Sequence, residues 1–134
     1  VNITNASPRP TGPVRSCLRF AQALNEGDLD RAAACFARDG CFITPDATAV
    51  HGREGIRDVL AQMVVRRTEI QIELSSTIAA GEVIFANQRW RIRSGEQSEG
   101  RLEQTADATL ILRQIEGTWK LSIVAPWGYR QSYG

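Results

Sequence analysis

Apolar residues recur every three or four positions through the first half of the chain, then every second position from Thr68 onward. In the first half, Val14, Cys17, Leu18, Ala21 and Leu24 follow a helical period. Pro13 suits the first turn of that helix and Gly27 its stop. Asp28 is placed to cap a second helix from Leu29 to about Ala37, with Ala32, Ala33 and Phe36 on one side and Gly40 at its end. Cys41 to Thr44 is a short apolar strand, broken by Pro45-Asp46. His51-Gly52 leads into a third helix, where Ile56, Val59, Leu60, Met63 and Val64 form a continuous stripe. Glu54 near its start and Arg66-Arg67 near its end suit the helix dipole.

The period-two region predicts strands at 69–79, 83–93, 101–114 and 118–127. Ala80-Gly81, the segment Ser94 to Gly100, and Glu116-Gly117 supply the turns. Three helices first and an antiparallel sheet after them make an α+β domain, 13–134, behind a polar leader at 1–12. A sheet this long with so few helices is expected to curl around them and enclose a cavity.

One strand carries a functional question. In 101–114, Ala106, Ala108, Leu110 and Leu112 share one face, and Thr105, Asp107, Thr109 and Ile111 share the other. Both faces carry apolar residues. The alanine–leucine face is either the core side or an outer side covered by a second subunit, and periodicity leaves both open. It is equally open whether Asp107 faces water or sits in a pocket.

Composition narrows the classes. The 134 residues are 43% apolar and 23% charged, enough for one domain with a full core and no metal or disulfide. A formal net charge of +1 gives no reason to expect a nucleic-acid or membrane partner. No apolar run approaches the roughly 20 residues that span a bilayer. The leader has no apolar signal segment. Cys17, Cys35 and Cys41 are odd in number and lack C-x-x-C spacing, which suits free thiols in a reducing cytoplasm. His51 is the only histidine, so no metal site is expected.

The run ALNEGDLDRAAACFARDGCFITPDATAVHGREGIRDVL carries an L-N-x-G-D-L-D helix junction, a strand followed by Pro45, and a G-x-x-x-I helix start. With Gly117-Thr118-Trp119-Lys120 on the last strand, residues 14–128 resemble the nuclear transport factor 2-like superfamily. The likeness is to its ketosteroid isomerase and SnoaL-like polyketide cyclase branch. The resemblance implies three helices packed in a strongly curved antiparallel sheet, with a cone-shaped apolar pocket. It also implies a homodimer through the outer sheet face. Asp107, Thr109 and Ile111 would then point into the cone, and Ala106, Ala108 and Leu110 toward the partner subunit.

Of the isomerases' three catalytic groups, the resemblance implies that one remains. Thr44 stands at the general-base aspartate and Phe20 at the oxyanion-hole tyrosine, while Asp107 matches the second, protonated aspartic acid. Threonine cannot abstract a carbon-bound proton at neutral pH, and phenylalanine donates no hydrogen bond. The resemblance therefore argues against steroid isomerisation by that route. Related epoxide hydrolases hold an arginine between two aspartates. Arg89 has only Arg91 beside it on its face, and the strand from Lys120 to Trp127 has no acid.

Asp107 is the leading candidate, as a neutral hydrogen-bond donor or general acid in an apolar site. Its bland alternative is a solvated strand residue, or one paired with an arginine. Gln88 would orient a ligand, with Phe20, Thr44, Met63, Trp90 and Trp127 shaping the pocket. Asp46 and His51 are possible replacements for the base, though a turn aspartate and a residue that merely precedes a helix explain them as well. Asn87, Arg89, Arg91 and Arg93 form a basic stripe that reads as a phosphate site or, more simply, a salt-bridge row. The reading is a cofactor-independent acid/base enzyme of isomerase, cyclase or dehydratase type. Its substrate would be a small apolar carbonyl compound such as a polyketide-like intermediate of specialised metabolism. A non-catalytic binder with the same pocket, or an interaction module with a filled cone, are the alternatives.

Overall fold

The first helix buries the stripe its periodicity marks. α1 (Gly12–Asn25) turns Cys17, Phe20, Ala21, Ala23 and Leu24 inward. The computed structural model describes residues 12–95 and 100–127. The leader at 1–11 and residues 96–99 of the Ser94–Gly100 turn therefore lie outside the described residues. Gly27, at φ 75°, ends α1, and Asp28 N–H returns to Ala23 O at 2.8 Å. Asp28 then caps α2 (Leu29–Ala34) by accepting from Arg31 N–H at 3.2 Å.

α2 is shorter than the expected helix to about Ala37. Its last residues give way to β1 (Phe36–Ile43), which begins in the stretch assigned to helix. The competing interaction is long-range. Leu121 N–H donates to Cys35 O at 2.8 Å, and Phe36 pairs with Leu121 in parallel register. Arg53, at the head of α3 (Arg53–Val65), clamps Phe36 O with Nε and Nη2 at 2.9 and 2.7 Å. A short strand β2 (Ala49–His51) pairs antiparallel with β1. Two helices therefore precede the β1–β2 hairpin and α3 follows it, rather than three helices coming first.

The remaining strands lie close to the predicted spans: β3 (Glu69–Ala80), β4 (Val83–Ser94), β5 (Leu102–Ile115) and β6 (Thr118–Ala125). The result is α+β: three helices against a curved, unclosed six-stranded sheet of order β2-β1-β6-β5-β4-β3. The β1–β6 pairing is parallel, so the sheet is mixed rather than purely antiparallel. Among the described residues, no helix is long and apolar enough to cross a membrane.

The core lies between the inner face of the sheet and α1 and α3. Ala106, Ala108, Leu110 and Leu112 of β5 are buried there with Phe20, Ile56, Leu60 and Trp90. Two bulges break strict alternation. One, between Ile72 and Leu74, brings Ser75 inward opposite Gln88. The other lies on β6 opposite Ile111/Leu112 and turns Ile123 outward, while Leu121 and Val124 stay buried. The register then sets Ile78, Phe85, Ile111 and Ile123 side by side on the outer face, one from each of four adjacent strands.

Asn25 ties the end of α1 to the edge of this sheet. Its Nδ2 donates to Ile70 O at 2.9 Å and its Oδ1 accepts from Ile70 N–H at 2.7 Å. The side chain thus pairs with β3 as a further strand would. Asn25→Ala is expected to cost about 1–3 kcal/mol, the net value of two hydrogen bonds, read from urea unfolding. An unchanged midpoint would show that water replaces both bonds without loss.

Candidate functional site

Inside an apolar shell, four polar groups meet. Gln88 is 3% exposed and Trp90 fully buried. Trp90 Nε1–H donates to Gln88 Oε1 at 2.7 Å, and Gln88 Nε2 donates to Ser75 Oγ at 3.3 Å. Cys17 reaches the same amide from α1. Around them Phe20 stands edge-on to Phe36, with ring centroids 5.5 Å apart, and tilted against Trp90 at 6.4 Å. A buried polar group without a partner costs on the order of 1–3 kcal/mol, so this network is held together by mutual need. Burial pushes the Cys17 thiol up to about 11, against the lowering effect of its bond to Gln88. The thiol is therefore neutral at physiological pH and is neither a base nor a nucleophile.

Gln88 and Trp90 share the inner face of β4, and Phe20 packs against Trp90 from α1. Met63 and Trp127 are half-buried against the same core. Ser75 escaped the sequence reading. Strict alternation places it opposite Ile70 and Ile72, and only the bulge brings it inward; no local signal marks the bulge.

Asp107 is elsewhere. Its side chain is 87% exposed on the outer face, 3.7 Å from Arg89 Nε. The orientation implied by the resemblance is thus reversed. Ala106, Ala108 and Leu110 face the core, Asp107 faces out, and Thr109 and Ile111 share its side. The physical reason is the register Trp90↔Ala106 and Arg89↔Asp107. Burying Leu110 and Leu112 is favourable, whereas burying a carboxylate is not. An exposed pair such as Arg89–Asp107 contributes little.

The basic stripe is also answered within the chain. Arg91 meets Glu73 at 3.0 Å and Glu103 at 3.3 Å, and Arg93 meets Glu103 at 3.5 Å. That is a salt-bridge row rather than a phosphate site. Thr44 and Asp46 are bound to each other in the β1–β2 turn. The Thr44 hydroxyl donates to Asp46, and Thr44 N–H donates to Thr48 O at 2.9 Å. The hydroxyls of Thr44 and Thr48 hold the exposed Asp46 carboxyl below its ordinary range, which weakens it as a base. His51 is exposed at the end of β2, paired with Cys41. Neither Asp46 nor His51 is in contact with Gln88 through any bond among the described residues. No group of three or more histidine, cysteine or acidic side chains among them converges as a metal site.

A family model described as SnoaL-like domain matches residues 18–120. A comparison with curated proteins finds no match. Among solved structures, a Mycobacterium tuberculosis protein of unknown function has TM-score 0.76 at 18% identity, over 84% of this chain and 66% of that one. A Xanthomonas campestris protein, provisionally described as a calcium/calmodulin dependent protein kinase II association domain, has TM-score 0.75 at 14% identity, over 94% and 91%. A Streptomyces avermitilis protein, provisionally described as a dehydratase of the NTF2-like family, has TM-score 0.73 at 15% identity, over 84% and 90%. At such identities these structures show a shared fold.

The raised Cys17 pKa makes stability depend on pH in the alkaline range. An unfolded thiol loses its proton near the ordinary value of 9.0, and the folded one near 11. The contribution is intact below pH 9 and is lost as pH rises toward 11, at about 1.4 kcal/mol per pH unit. Unfolding free energies measured across that window should fall for the native chain and fall less steeply for Cys17→Ala. Identical slopes would place the thiol in contact with solvent.

Proposed function

The chain belongs to the SnoaL-like domain family of the nuclear transport factor 2-like superfamily, and on that premise we propose that it holds a small, largely apolar metabolite bearing a carbonyl or hydroxyl, without transforming it. The ligand's apolar body lies against the inner surface of the curved sheet. Its polar group takes over the amide hydrogen that Gln88 otherwise gives to Cys17 and meets the hydroxyl of Ser75. The observation that carries this reading is the chemistry of the buried polar groups on the inner surface. They are an amide, a hydroxyl and a neutral thiol, while the expected carboxylate of Asp107 lies on the opposite face. An amide can orient a carbonyl but cannot take a proton from carbon. No cofactor is required for such holding.

A second reading is an isomerase, cyclase or dehydratase acting on a polyketide-like intermediate. Its support is the fold shared with the Streptomyces avermitilis protein provisionally described as a dehydratase. It needs a proton-transfer group, and Asp46 and His51 beside the β1–β2 hairpin are the residues to supply it. A panel of a steroid enone, a monoterpene ketone and a naphthoquinone separates the two. The holding reading expects at least one compound to raise the melting temperature and to be recovered with unchanged mass. Gln88→Leu then weakens binding roughly tenfold, as loss of a buried hydrogen bond does. Conversion that Asp46→Asn or His51→Gln abolishes would establish the enzyme instead.

The outer face is proposed to meet a second copy of the chain through the row Ile78, Phe85, Ile111 and Ile123. Phe85 and Ile123, large apolar side chains on either side of Ile111, are 38% and 40% exposed. Light scattering should give a dimer for the native chain and a monomer of similar melting temperature for Ile123→Glu. A native monomer at micromolar concentration rules the assembly out.

A further inference from the structure

A cleft of about 380 Å³ opens between α1, the end of α2 and the start of β6. Its chemistry is unlike that of the interior. Arg19, Arg31 and Lys120 line it with the thiol of Cys35, the methyl of Ala34 and the indole of Trp119, and no carboxylate is among its lining residues. The walls are fixed. Lys120 Nζ donates to Ala34 O at 2.8 Å, at the end of α2. Ser16 Oγ donates to Trp119 O at 2.8 Å, pinning β6 to α1. The indole edge is held by close backbone: a Cβ on Gly12 would lie 2.8 Å from Trp119 Cδ1.

The cations are unequally committed. Arg31 pairs with Glu26 at 2.9 Å and reaches Asp28 at 3.7 Å. Lys120 spends one of its donors on a neutral carbonyl and has no ion pair among the described residues. Arg19 is exposed and has no ion pair or hydrogen bond from its guanidinium among the described residues. The positive field converges on the thiol. Burial raises the Cys35 pKa, while Lys120, Arg19 and Arg31 each pull it back down. The cleft thus offers a positive potential, free guanidinium donors and a flat apolar wall in one half-enclosed space.

We propose that this cleft binds a small aromatic oxyanion, with its phosphate or carboxylate between Arg19 and Lys120 and its ring on Trp119. Guanidinium and ammonium groups form their strongest hydrogen bonds with such oxyanions, and arginine does so in a bidentate fashion. The site is distinct from the Gln88 interior and does not depend on how that interior is used.

The test titrates the full chain with phenyl phosphate, benzoate and neutral benzyl alcohol, following the indole N–H resonances by NMR. Trp119→Phe identifies the Trp119 signal among the three tryptophans. The proposal expects saturable movement of that signal with phenyl phosphate, benzoate or both, and none with benzyl alcohol. Which of the two anions binds more tightly identifies the oxyanion source, phosphate or carboxylate. Arg19→Gln, a change at an exposed position, should weaken binding about tenfold, the scale of one charge-assisted hydrogen bond, while Arg19→Lys retains most of it. Gln88→Leu should leave it unchanged. No saturable movement with either anion, an equal response to benzyl alcohol, or an Arg19→Gln affinity equal to that of the native chain would overturn the proposal.

Discussion

The register shared by β3, β4 and β5 is the constraint from which the rest of this molecule follows. It sets Trp90 against Ala106, Gln88 against Ala108 and Ala86 against Leu110, so that the buried face is apolar except for the Gln88 amide and the Ser75 hydroxyl. A side chain in a strand has only two directions. A slip of one residue would send every inward side chain out and bring Arg89, Arg91 and Asp107 into the core. The choice between the two is not close. One face carries Leu110, Leu112, Ile84, Ile92 and Trp90, and the other carries paired charges.

That constraint also explains why the inner polar groups form a network. Trp90 is too large to leave out of the core, and its indole N–H cannot be buried without an acceptor. Gln88, two positions earlier on the same face, supplies that acceptor, and its own N–H then requires Ser75. The bulge in β3 is what lets Ser75 answer. Each member is buried because the previous one is. The arrangement is uniformly neutral, as the proposed holding of a polar group requires.

Much of this was legible from residue order. The stripe on α3, the cap at Asp28 and the four long strands follow from periodicity and turn residues, which are local signals. The inward direction of Gln88 and Trp90 follows from alternation within β4. What escaped depends on contacts distant in sequence. Phe36 and Ala37 read as continued helix, and only the pairing of Phe36 with Leu121 of β6 turns that segment into strand. Ser75 and Ile123 change face at bulges that no residue type announces. Asp107 shows a different failure. A family resemblance carries a residue to a position, but the direction of its side chain belongs to the local register.

The neutral interior is therefore a property of particular residues and not of the fold. Bringing Asp107 inward by shifting β5 would expose Leu110 and Leu112, at about 1.5–3 kcal/mol for each side chain. It would also pull Trp90 and Gln88 out of line with their partners. A carboxylic acid could enter this surface only at a position that already points inward, such as 106 or 108, where alanines stand. Those two methyl groups sit directly across from Trp90 and Gln88. Between a scaffold able to carry acid–base chemistry and one confined to holding a neutral ligand, the difference at this site is the occupant of one or two inward positions on a single strand. The curved sheet, its helices and its apolar lining serve either use unchanged.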